Sequence, residues 1–324
     1  MASCWRTSKR LKLLLLQPPE RPAQLVALFG VGLLGSSILR ALRSLSLSQE
    51  ETVPLGWELD TPAGAQALGA LRQRARALSE GHPELELSLV WSAGRAGPSA
   101  ASTQTERELA NYLAVLDWAE ALGEELERPL RVHLVSSAGG IFAGCGLVTR
   151  SPQPPAPRHP YGELKLRQEE ALAGRGWLGA QVYRPTSVYG FLHPEHRRGL
   201  IQTLLAQGVR RRVTTIYGRL STLRDFVFSE DVGAYLARRV CEPPPPGATT
   251  YLLASGRPSS LREVIHAVER ILGKRLFIAF VPPTSAEDLC YHANALPSDW
   301  RPLDLLSGLR QLYTRWTLEG YSES

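Results

Sequence analysis

Apolar positions along this chain fall into short unbroken runs, separated by stretches where they recur every three or four residues. Gln24–Phe29, Val53–Trp57, Leu85–Trp91, Arg131–Val135 and Ala180–Pro185 read as strands. Between them Ser36–Leu45, Ala65–Leu78, Thr105–Leu122 and Tyr161–Ala173 carry helical spacing, and in the third Leu109, Tyr112, Leu113, Leu116 and Ala119 share one face. Unbroken apolar strands alternating with amphipathic helices predict an α/β fold, a doubly wound parallel sheet covered on both sides. The proline-rich stretch Ser151–Pro160 predicts a loop.

The last third differs. Pro243–Pro246 is a stiff connector, Tyr251–Ala254 a short strand, and Leu261–Leu272 an amphipathic helix with Ser259 and Ser260 as candidate caps. A smaller C-terminal α/β domain beside the sheet is expected. The predicted organisation is an N-terminal extension over 1–23, a nucleotide-binding domain over 24–185 to which 219–242 returns, and a second domain from 186–218 and 243–324.

Composition narrows the function classes. The 324 residues are 44% hydrophobic and 21% charged, which excludes disorder and collagen-like chains. Cys4, Cys145, Cys241 and Cys290 lack metal or redox spacing, so a reducing, cytoplasmic compartment without structural disulfides is expected. Leu13–Leu16 is too short to span a bilayer, and the basic Arg6, Lys9, Arg10 and Lys12 precede it without a cleavage site after it. A disordered N-terminal extension and no membrane partner follow. The net charge of +6 comes from scattered arginines, and Arg210–Arg212 is explained by an anionic ligand or a solvated face, so no specific nucleic acid is expected. His193, Glu195 and His196 around Pro194 lack a third ligand, so no metal is expected.

Gly30, Gly32 and Gly35 form GVGLLG between a strand and a helix. The first permits a tight turn, the second lets a pyrophosphate approach the backbone, and the third lets helix and strand pack closely; free amides at the helix start favour the negative charge. An acid beyond the second strand would hold the adenosine ribose, and Glu58 or Asp60 fills that place. Either would favour NAD by repelling a 2′-phosphate, with NADP left open.

Tyr161-Gly-Glu-Leu-Lys165 opens a helix, and a spacing of four puts both side chains on one face. Only four lysines occur in the chain, and of ten tyrosines only Tyr161 has one four residues on. There the ammonium is expected to lower the phenol's pKa, making Tyr161 an acid or base near neutral pH. Upstream, Ser136 and Ser137 end a strand where parallel sheets bind ligands.

Together these motifs resemble the extended short-chain dehydrogenase/reductase family, the NAD-dependent nucleotide-sugar epimerases and dehydratases. SSAGGIFAG (Ser136–Gly144) is similar to its serine-bearing strand end, YGELK to its Tyr-x-x-x-Lys, and YRPTSVYG (Tyr183–Gly190), LRDFVFSEDVGAYLA (Leu223–Ala237) and WRPLDLLSGLRQLYTRW (Trp300–Trp316) to its later segments. The resemblance implies a Rossmann-type domain, NAD held by Gly30, Gly32, Leu33, Leu34, Gly35 and Ala93 with Glu58 or Asp60, and a nucleotide-sugar substrate. It implies Tyr161 as base, Lys165 holding the nicotinamide ribose, and Ser137, or less readily Ser136, steadying the sugar oxygen. Ser136, Ser187 and Arg224 become substrate contacts, Arg224 at the diphosphate, and a homodimer through the helices of Thr105 and Tyr161 is implied. The chain also departs from the family: Phe29 takes the first glycine slot, Ala138 that of the usual hydroxyl, Ser187 that of an asparagine, and no third strand separates Asp60 from Glu84. Gly139 and Gly140 replace the acid pair of dehydratases, favouring epimerisation or reduction. The alternative from another class is a non-catalytic NAD(P)-binding regulatory or scaffold protein of the same fold.

Overall fold

Seven strands assemble into one sheet: β1 (Arg10–Leu16), β2 (Gln24–Phe29), β3 (Leu47–Pro54), β4 (Glu86–Trp91), β5 (Leu130–Val135), β6 (Leu178–Pro185) and β7 (Thr249–Leu253). Their spatial order is β7-β6-β5-β4-β2-β1-β3. The computed structural model describes residues 10–56, 58–82, 84–149, 153–176, 178–191, 198–245, 247–281 and 288–319. From β2 through β4 and β5 to β6 the pairing is parallel, with Phe29 opposite Trp91, Trp91 opposite Leu134, and Leu134 opposite Val182. Parallel neighbours require crossovers, and these are the helices α1 (Leu33–Ser46), α2 (Pro62–Glu80), α3 (Ser102–Glu125) and α5 (Pro160–Ala173), with one short turn, α4 (Ala138–Ile141). This is the Rossmann-type doubly wound architecture expected from the apolar runs. The α2, α3 and α5 side is filled by leucines and by Phe29, Trp91, Tyr112 and Trp118.

The N-terminal region corrects the expectation. Arg10–Leu16, placed above in a disordered extension, is a strand lying antiparallel between β2 and β3. Leu11, Leu13 and Leu15 join the core under α2 and α3, while Leu14 and Leu16 are buried on the opposite face. Seven residues are too few for a bilayer but span about 23 Å of sheet, and a Pro18-Pro19 turn folds the strand onto β2. β3 also forms earlier than expected, over Leu47–Pro54 rather than Val53–Trp57, directly after α1. It is the sheet's polar edge: Glu50 binds Lys12 and Arg43, and Glu51 pairs with Arg74.

The chain divides into two compact units, 1–141 with 157–184 and 233–251, and 142–156 with 185–232 and 252–324. The segment returning to the first unit is therefore 233–251 rather than 219–242, and 142–156 belongs to the second, where Leu147–Val148 pairs in parallel with Cys290–Tyr291. The second unit carries α6 (Leu200–Val209) and, after α7 (Ser229–Cys241) has led the chain back to the first, α8 (Leu261–Leu272) and α9 (Leu305–Leu318). Ser260 rather than Ser259 caps α8, in a reciprocal box with Glu263 worth about 1 kcal/mol. Cys145, Cys241 and Cys290 are free thiols, and Cys4 lies outside the described residues.

Candidate cofactor and catalytic site

The glycine turn has the geometry its spacing predicts. Gly30 has φ +87°, and a Cβ there would lie 2.6 Å from the Ala93 nitrogen; a Cβ on Gly35 would lie 1.9 Å from the Gly30 oxygen. Both positions therefore exclude larger residues. Gly32 faces open space and precedes α1, whose first turn, opened by Leu33 and Leu34, has neither an acid nor a side-chain cap. A pyrophosphate fits such an end: the backbone is uncovered and the dipole favours an anion. Phe29 fills the first glycine slot because its ring packs into the core, 5.8 Å from Trp91 and 6.0 Å from Trp118.

With β1 inserted, β3 sits two strands from β2, roughly 10 Å away. The Glu58 and Asp60 side chains are exposed, and the Glu58 carbonyl accepts from Thr61 at the start of α2. Glu58 lines a cavity of about 790 Å³ between the first turns of α2 and α3, with Trp91, Arg107, Glu108 and Gly94, the last next to the Ala93 that packs against Gly30. Asp60 is not among its lining residues.

Around Tyr161 the parts interlock. The Tyr161 hydroxyl is hydrogen-bonded to Ser137, whose Oγ also accepts the Gly140 N–H at 3.1 Å. A Cβ on Gly140 would stand 3.1 Å from the Tyr161 ring, and one on Gly162 only 2.4 Å from the Gly140 oxygen. These two glycines let α4 and α5 approach, and they leave no room for a dehydratase acid at Gly140. Ala138 is fully buried, so the hydroxyl at this strand end is that of Ser137. Ser136 is corrected: its buried hydroxyl donates to Glu169 at 2.5 Å, and Arg184 grips that carboxylate in a fork, so Ser136 is a structural contact.

Lys165 is buried and donates to the Val135 carbonyl at 3.2 Å and to Gln168 at 3.1 Å, its Nζ 6.0 Å from the Tyr161 ring centre. Burial lowers its pKa to about 8 against the opposing pull of Glu108 and Glu169. The expected depression of the Tyr161 pKa is not found: burial and the Glu108 charge raise it, outweighing the Ser137 bond. Tyr161 is thus a neutral phenol in the free chain.

The second unit holds Ser187 and Arg224. Ser187 pairs in parallel with Phe226, and its N–H donates to the Asp225 carbonyl. Arg224 lines a cavity of about 360 Å³ with Tyr217, Arg219, Thr222 and Ser259. Asp225, which sequence reasoning passed over, is buried and accepts from Thr186 Oγ1, the Ser255 N–H and hydroxyl, and the Gly256 N–H. Burial nevertheless raises its pKa. Arg210–Arg212 follow α6 on the surface. His193, Glu195 and His196 lie outside the described residues, among which no cluster could hold a metal ion and no helix is long and apolar enough to cross a membrane.

The family model for the NAD dependent epimerase/dehydratase family matches residues 30–242, and the chain belongs to that family. No curated protein sequence matches. Among solved structures, UDP-glucose 4-epimerase of Thermus thermophilus in complex with NAD is 21% identical, with TM-score 0.66 over 89% of this chain and 96% of that one. RMD from Pseudomonas aeruginosa complexed with NADPH is 21% identical with TM-score 0.69 over 91% and 99%, and UDP-glucose 4-epimerase of Thermotoga maritima with UDP-glucose is 18% identical with TM-score 0.69 over 90% and 98%. At these identities the likeness is one of fold.

Proposed function

We propose that this chain is an NAD-dependent epimerase, or a closely related oxidoreductase, acting on a nucleotide-diphosphate sugar through a transient ketone. The observation that carries the reading is the Tyr161 phenol bonded to Ser137, with buried Lys165 one helical turn behind it. Gly30, Gly32, Leu33, Leu34, Gly35 and Ala93 would hold the cofactor at the start of α1. When bound, NAD would supply a carbon that accepts and returns hydride, and a positive charge that favours phenolate. Tyr161 Oη takes the proton from a sugar hydroxyl and returns it to the ketone oxygen, while Ser137 Oγ fixes that oxygen. Lys165, partly charged near pH 8, places its ammonium at the ribose side of the pair. Arg224 and Ser187 would contact the substrate, the guanidinium suiting a diphosphate.

Replacing Tyr161 with Phe should reduce turnover of a panel of UDP-, GDP- and dTDP-sugars by about 100-fold or more while leaving cofactor binding intact. Undiminished turnover sinks the reading. Cofactor binding with no turnover of any panel member by the unaltered chain would favour the non-catalytic alternative.

A further inference from the structure

Glu108 lies on the second turn of α3, outside every motif named above. Its Oε1 accepts the Arg95 N–H at 2.5 Å and the Ala96 N–H at 2.7 Å, pinning the loop that follows β4. Its Oε2 faces Gly94, whose φ of +147° favours glycine and where a Cβ would stand a tight 3.2 Å away. Helices α3 and α5 lie side by side, joined by Glu106 with Arg167 and by Glu120 with Arg175. The two pairs advance in the same direction along both helices. Tyr112 feels the charge of Glu169, and one turn earlier on each helix stand Glu108 and Lys165.

We propose that Glu108 is a positioning residue for the proposed reaction, a third member of the Tyr161–Lys165 pair that sets the protonation of both from the neighbouring helix. The inference rests on the reading of Tyr161 as the proton-transfer group. Of the carboxylates among the described residues, Glu108 acts on both members: it favours the ammonium of Lys165 and disfavours the phenolate of Tyr161. The other groups facing the pair are Ser137 at Tyr161, and Gln168, the Val135 carbonyl and Glu169 at Lys165. Glu169 is itself committed to Arg184 and Ser136. Glu58, Arg95 and Arg107 line the same cavity as Glu108. In this arrangement Glu108 adds to burial in holding Tyr161 neutral in the free chain, so that the phenolate would form only with the cofactor's positive charge beside it, and it favours the charged form of Lys165 in a buried place.

The test reads protonation rather than turnover. Lysine and tyrosine are labelled with carbon-13 in the unliganded full chain, and Lys165 and Tyr161 signals are assigned from Lys165→Met and Tyr161→Phe and titrated by NMR. Glu108→Gln keeps a carbonyl acceptor for the two loop amides and removes only the charge. It should lower both midpoints, each by about one pH unit, and Glu108→Asp should restore them. Midpoints unchanged in Glu108→Gln overturn the proposal. So does a Glu108→Gln chain that fails to fold while Glu108→Asp folds, since Glu108 then serves the loop alone. If Tyr161→Phe keeps its turnover, the functional reading fails, yet these midpoints still decide what Glu108 does.

Discussion

Lys165 illustrates how much a single buried charge constrains. Its pKa falls from 10.5 to about 8 on burial, so between those values the unfolded chain holds a proton that the folded one has released. Stability therefore rises with pH across that window and is flat on either side of it as far as this group is concerned. Urea unfolding at pH 7 and pH 10 should show the chain gaining up to about 3 kcal/mol relative to Lys165→Met over that interval. A difference independent of pH would mean that Lys165 is not buried as a charge. The same residue shows where sequence reading stops. The four-residue spacing places lysine and tyrosine on one face, but whether the lysine pulls the phenol down depends on what else surrounds it. Here burial, with the charge of Glu108 from another helix added to it, pushes the phenol the other way.

Among the elements, β1 carries the largest correction. Its five buried leucines, Leu11, Leu13, Leu14, Leu15 and Leu16, contribute about 10 kcal/mol of burial at roughly 2 kcal/mol each, comparable to the net stability of a whole domain. Deleting residues 1–16 should abolish cooperative unfolding and solubility, measured by circular dichroism and sedimentation, whereas removal of a disordered extension would be silent. The strand takes the place beside β2 where the next parallel strand would otherwise lie. Local patterning shows that RLKLLLL is apolar; that it pairs on both edges is a long-range fact. By contrast, the helices carrying Tyr161 and Leu109 were legible because an amphipathic period is written within the helix itself.

At the scale of the whole molecule, the second unit depends on a buried carboxylate. Asp225 joins Thr186, Ser255 and Gly256 through four accepted hydrogen bonds. Asp225→Asn turns part of that acceptor set into donors facing donors, and thermal unfolding should report a loss of about 2–4 kcal/mol. A neutral effect would mean that the carboxyl is already protonated at the working pH. The sequence by itself determined the parallel α/β architecture, the strand–glycine–helix turn and the Tyr161/Lys165 face, because each is specified by spacings of six residues or fewer or by an unbroken apolar run. Only the tertiary structure decided that β1 enters the sheet, that Ser137 reaches Tyr161 while Ser136 is consumed by Glu169, and that Glu108 stands near the pair. Those facts depend on which distant segments come to lie side by side, and hydrogen bonds and charges act across space without leaving a periodic trace in the chain.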